Sequence, residues 1–116
     1  MAIVEGISRQ VDVNEFGGTT WNINVLAPNF RIVIQSTRNG DFVTDVKKVG
    51  FLRYKKFHSF VTKEGDIAKI ISEAYTRIWE YVNLNPGKFN PWSQMQMLNA
   101  AADMIDEFER FYKEPH

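Results

Sequence analysis

Apolar and polar residues alternate through much of the first sixty positions and recur at helical spacing through the last fifty. In Trp21-Asn22-Ile23-Asn24-Val25 every second residue is apolar, the period of a strand with one buried face. Ala27-Pro28-Asn29 interrupts it, because proline has no amide hydrogen for a ladder and holds its predecessor extended. The alternation resumes at Phe30-Arg31-Ile32-Val33-Ile34-Gln35, with Phe30, Ile32 and Ile34 on one side. Asn39-Gly40 is the pattern of a two-residue type I′ hairpin, so Phe42 to Val49 is expected to return antiparallel. Ile7 to Val13 reads as an earlier strand closed by Gly17-Gly18. Phe51 to Phe60 reads as a later one with weak alternation, Gly50 marking a bulge or bend. The sum is a meander of about four to five strands over residues 3–60.

Near Thr62 the period changes. Ile67, Ile70, Ile71, Ala74, Ile78 and Val82 follow at spacings that form one helical stripe, with Lys69, Glu73, Arg77 and Glu80 opposite. Asn83 to Gly87 ends that helix, expected over residues 63–83. Asn90 followed by Pro91 supplies a cap and a first-turn proline for a second helix over 91–112. Its expected apolar face is Met95, Leu98, Ala102, Ile105, Phe108 and Tyr112, widened by Met97, Met104 and Phe111. Strands followed by helices predict an α+β fold. It is read as a single domain, residues 1–116, with the two helices packed on one face of an antiparallel sheet.

Composition narrows the function classes. Across 116 residues, 44% are hydrophobic and 24% charged, the balance of a chain that folds by itself. Nine Phe, four Tyr and three Trp are many rings for a core of this size, which favours an interface that uses some of them. The absence of cysteine excludes disulfides, thiolate metal sites and cysteine nucleophiles. No stretch has the length of a membrane span and the start lacks a secretory pattern, so the expected location is cytoplasmic and a membrane is not an expected partner. G-x-S-x-G, P-loop and G-x-G-x-x-G patterns are absent. Of the two histidines, His116 is terminal and His58 has no carboxylate near it in sequence to complete a triad. Asp103, Asp106, Glu107 and Glu109 are spaced to share a helix face, where Arg110 and Lys113 balance them as solvated charge. Neither a catalytic residue, a cofactor nor a metal is expected.

The formal net charge is zero, but its distribution is uneven. Lys47, Lys48, Arg53, Lys55 and Lys56 fall within twelve residues that contain no acid. Phe51, Tyr54 and Phe57 are interleaved with them and His58 ends the run. Cations that neutralise phosphates beside rings that stack on unpaired bases form a single-strand platform when they share a sheet surface. Arg31 and Arg38, on the adjoining strand and turn, extend this candidate nucleic-acid site. The bland account is that the rings are core and the lysines protect a sheet edge. The order of elements, a strand meander followed by helix, is similar to that of Whirly-type single-strand-binding domains. No motif of theirs is present, and two helices stand here where one is usual, so the likeness is of topology only. The function expected is a non-enzymatic binding protein contacting single-stranded nucleic acid or its phosphate backbone. The alternative is a protein-interaction module, such as an adaptor, inhibitor or viral accessory factor, docking through aromatic and Met-rich surfaces. Partners then fall among nucleic acid, another protein and a second copy of the chain.

Overall fold

The computed structural model of the chain describes residues 4–10, 14–25, 30–49, 54–63, 66–84 and 93–113. Strands come first: β1 (Val4–Gln10), β2 (Gly17–Val25), β3 (Phe30–Thr37), β4 (Asp41–Val49) and β5 (Tyr54–Lys63). Helices α1 (Ile67–Leu84) and α2 (Gln94–Lys113) follow, and the class is α+β. Two compact units divide the chain, Met1–Gly65 and Asp66–His116.

In the first unit each strand pairs antiparallel with its sequence neighbour, in the order β1-β2-β3-β4-β5. The apolar alternation sets the register. Trp21 lies opposite Ile34, Ile23 opposite Ile32 and Val25 opposite Phe30, while Ile32 and Ile34 face Val46 and Thr44 of β4. All of these are buried, as is Phe42, whose ring centroid lies 6.2 Å from that of Trp21. Each large apolar side chain so buried contributes about 1.5–3 kcal/mol. A one-residue slip would turn the whole set to the other face.

Several boundaries differ from the sequence pattern. β1 begins at Val4 rather than Ile7, and Gly17-Gly18 opens β2 instead of closing β1. The strand at the end of the meander runs on to Lys63, because Thr62 and Lys63 pair with Phe42 and Asp41; helical order starts only at Ile67. Between β3 and β4 the loop is longer than a type I′ turn. The Gly40 amide donates to the Thr37 carbonyl at 3.1 Å, which makes Arg38 and Asn39 the central residues. Gly40 follows at φ +86°, the left-handed position that completes a three-residue hairpin loop. The Thr37 hydroxyl also accepts from the Asp41 amide at 3.0 Å.

One asparagine organises the turn before β2. Asn14 Oδ1 accepts from the amides of Phe16 at 2.9 Å and Gly18 at 3.0 Å. Its Nδ2 donates to the carbonyls of Thr19 and Ser36 and to the Thr20 hydroxyl. At Gly18 a β-carbon would collide with the Ser36 carbonyl and hydroxyl oxygens, so β2 and β3 approach there in a way only glycine permits. The register shift between Gly17 and Thr20 sits at the same place.

In the second unit α1 packs against α2. Asp66 caps α1, its carboxylate accepting from the Lys69 amide at 3.3 Å. Ser93 and Gln96 form a reciprocal capping box: Gln96 N–H donates to Ser93 Oγ at 3.0 Å and Ser93 N–H to Gln96 Oε1 at 2.8 Å, satisfying two amides the helix leaves open. The Asn90-Pro91 cap expected from sequence lies outside the described residues. The α1 stripe is buried as expected, with Tyr75 added to it. The α2 face is rotated from its expected centre. Met97, Ala101, Met104 and Phe108 are buried, whereas Met95 and Leu98 are 66% and 50% exposed and Ala102 is exposed too.

Tyr75 is fully buried and its hydroxyl has no hydrogen-bond partner among the described residues. Burial first, and then the Glu107 charge, push its phenol far above the ordinary value.

Two outcomes are expected in urea unfolding. Asn14→Ala should cost about 2–3 kcal/mol, since it strips partners from several partly buried backbone groups at once. Tyr75 contributes stability that is fully present below the unfolded phenol pKa of about 10 and is lost as pH rises toward its higher folded value. Tyr75→Phe has no proton to release, so its unfolding midpoint should fall less than the wild type's between about pH 9 and 11.

Candidate functional site

Residues directly opposite one another in an antiparallel pair share a face, with β-carbons about 4.5–5.5 Å apart. That rule assembles a row on the polar face of the sheet. Asn24 lies opposite Arg31, Arg31 opposite Lys47, and Lys47 opposite Lys56. Three cations from β3, β4 and β5 therefore stand side by side. Arg31 Nε donates to Asn24 Oδ1 at 3.0 Å, which fixes one edge of the guanidinium.

Lys56 owes its place to a bulge. Val46 pairs with His58, but Lys47 pairs with Lys56, leaving Phe57 as the extra residue. Its ring meets that of Phe30 edge-on, centroids 5.2 Å apart, on the apolar side. Without the extra residue Phe57 would stand opposite Lys47 on the polar face and Lys56 opposite Lys48.

The basic-aromatic run is accordingly split. Lys47 and Lys56 join Arg31 on the polar face. Lys48 lies opposite both Phe30 and Lys55, and His58 opposite Val46 with its ring 5.5 Å from Phe60, so these belong to the apolar side with Phe57. Arg38 sits in the β3–β4 loop and its side chain lies across Gly17, Nε 2.7 Å from where a β-carbon there would stand. Arg53 and the side chain of Tyr54 lie outside the described residues. Phe57, the ring of the run that is described, shares its side with Lys48 and Lys55 and faces away from Arg31, Lys47 and Lys56, so it forms no stacking surface with that row.

Next to the basic row the same face is concave. A groove of about 340 Å³ is lined by Asn14, Glu15, Thr20, Asn22, Arg31, Val33, Gln35 and Lys47. Arg31 and Lys47 mark one end, Val33 the floor, and Asn14 with Glu15 the turn at the other end. The neighbouring row, Asn22, Val33, Asp45 and Ser59, supplies a strand carboxylate near the cations. Ser59 Oγ donates to Asp45 and Lys56 Nζ approaches it to 3.9 Å. Asn22 and Gln35 were not singled out by composition or motif; their signal was only their place on the polar half of the alternation.

No family model, curated protein or solved structure matches the chain.

On α2, Asp103 and Asp106 are exposed and Glu107 and Glu109 half-buried. Among the described residues no three His, Cys, Asp or Glu side chains are grouped to hold a metal ion, and no helix is long and apolar enough to cross a membrane.

Like charges directly opposite one another in a sheet destabilise it by about 0.2–1 kcal/mol. Lys47 stands between two cations, so Lys47→Gln should raise the melting temperature, with a gain that shrinks as salt screens the row. A lower melting temperature at low salt would show that the row carries no such strain.

Proposed function

We propose that the chain is a non-enzymatic binding protein that holds the phosphate backbone of a nucleic acid on the polar face of its sheet. The observation behind this reading is the row Arg31, Lys47, Lys56. Setting three cations side by side costs a sheet stability, whereas a chain of phosphates offers each a counter-charge and releases the counterions condensed on it. Arg31 adds a planar guanidinium suited to paired phosphate oxygens, and the lysines act as point charges. Overall neutrality leaves this a local attraction rather than a global one.

A second reading, a protein-interaction module, is favoured by the exposure of Met95, Leu98 and, at the end of α1, Leu84 at 79%. Adaptable methionine beside leucine is a common docking chemistry. Of the Met-rich flank read from sequence, Met97 and Met104 are buried, which leaves Met95 alone to serve it.

Titration of a labelled oligonucleotide against the full chain over a salt series tests the first reading. Three phosphate contacts predict a log–log salt slope of about −2 to −3. Lys47→Glu should reduce that slope by about 1 and weaken binding to every sequence alike. Binding that ignores salt, or is absent at low salt, defeats the proposal.

A further inference from the structure

The groove beside the basic row has a chemistry that the row alone does not require. Asn22 and Gln35 are half-buried and line it, yet neither side-chain amide makes a hydrogen bond among the described residues. The neighbouring asparagines Asn14 and Asn24 are engaged, Asn14 in its turn and Asn24 with Arg31. Two primary amides thus hold donors and acceptors toward a cavity and toward nothing else described. Between them lies Val33, only 9% exposed, an apolar floor.

We infer that this groove takes one unpaired nucleotide, its base laid on Val33 with its edge read by Asn22 and Gln35, and its phosphate at Arg31 and Lys47. This rests on the phosphate reading of the basic row and adds to it the part that tells a single strand from a duplex. The volume of about 340 Å³ lies in the range of small-ligand pockets and is of the size of a single nucleotide. Asn22 lies opposite Val33, two residues from Arg31, and Gln35 lies four residues from it, so the amides stand about 7 and 13 Å along the sheet from the cationic end and a base edge reaching from a phosphate held there meets the nearer one. Glu15 at the far end fixes the direction: a phosphate is repelled there, and an exocyclic amino group is attracted. An amide offers a donor and an acceptor together, which matches the paired groups on adenine. A base still in a duplex has both faces stacked on its neighbours, and it cannot lie on Val33.

Fluorescence anisotropy with labelled homopolymers of deoxyadenosine, deoxycytidine and thymidine, and with a matched duplex, tests the inference on the full chain. The single strand should bind at least about fivefold more tightly than the duplex and deoxyadenosine more tightly than thymidine. Asn22→Ala with Gln35→Ala should abolish both preferences while the salt slope stays as in the wild type. Should that double variant fail to fold, the near-isosteric Gln35→Glu replaces the amino group with an acceptor and should shift preference toward deoxycytidine. Preferences that survive either folded variant, or a wild type that binds duplex and single strand equally with its salt slope intact, overturn the groove inference and leave the phosphate row standing. No binding to any of these probes at low salt overturns both.

Discussion

The pairing of β4 with β5, and within it the single extra residue at Phe57, decides what the sheet can do. Side chains alternate faces along a strand, so one inserted residue exchanges the faces of everything on its far side. Here it sends Lys56 to the polar face beside Lys47 and turns Phe57 to the apolar side against Phe30. The ring contact and the bulge support each other: burial of the aromatic edge favours the extra residue, and the extra residue lets the ring reach its partner. Had the strand continued without it, Phe57 would have stood beside Lys47 on the polar face and Lys56 beside Lys48 on the other.

The remainder of the sheet follows from local rules that agree. Trp21, Ile23 and Val25 meet Ile34, Ile32 and Phe30 across β2 and β3, each strand's alternation confirming its neighbour's. Gly40 at positive φ ends one hairpin, and Asn14 ties the turn before β2 to the carbonyl of Ser36 on β3. These devices hold the polar face in register. The order of Arg31, Lys47 and Lys56 is a product of that register and of no direct contact between them.

Much of this was legible in the chain. Strict alternation marked β2 and β3, and the i, i+3, i+4 spacing marked α1, because in both the buried set is sharply separated from the polar one. Where apolar residues spread over a wide arc, as on α2, spacing found the helix but centred its face on Met95 and Leu98 instead of Met97 and Met104. The Asn39-Gly40 pair announced a hairpin, but the Thr37 hydroxyl bond to Asp41 favoured a longer loop. A cluster contiguous in sequence was a poor guide to the site, since neighbours on a strand face opposite ways. Arg31 and Lys47 lie sixteen positions apart and are adjacent in space, and no pattern within β5 announced its bulge. The amides of Asn22 and Gln35 had no signal beyond being polar.

Asn14 bears on the proposed site. The side chain that ties five partners in the turn is also part of the groove wall, so this wall is held in place before any ligand arrives. Ordering a loose loop on binding subtracts from affinity, and a wall already ordered avoids that subtraction. On the proposed reading, selectivity at the groove is coupled to folding itself: a weakened turn would first loosen the fit at the amide end and leave attraction at the cationic end, so that binding would persist while discrimination was lost.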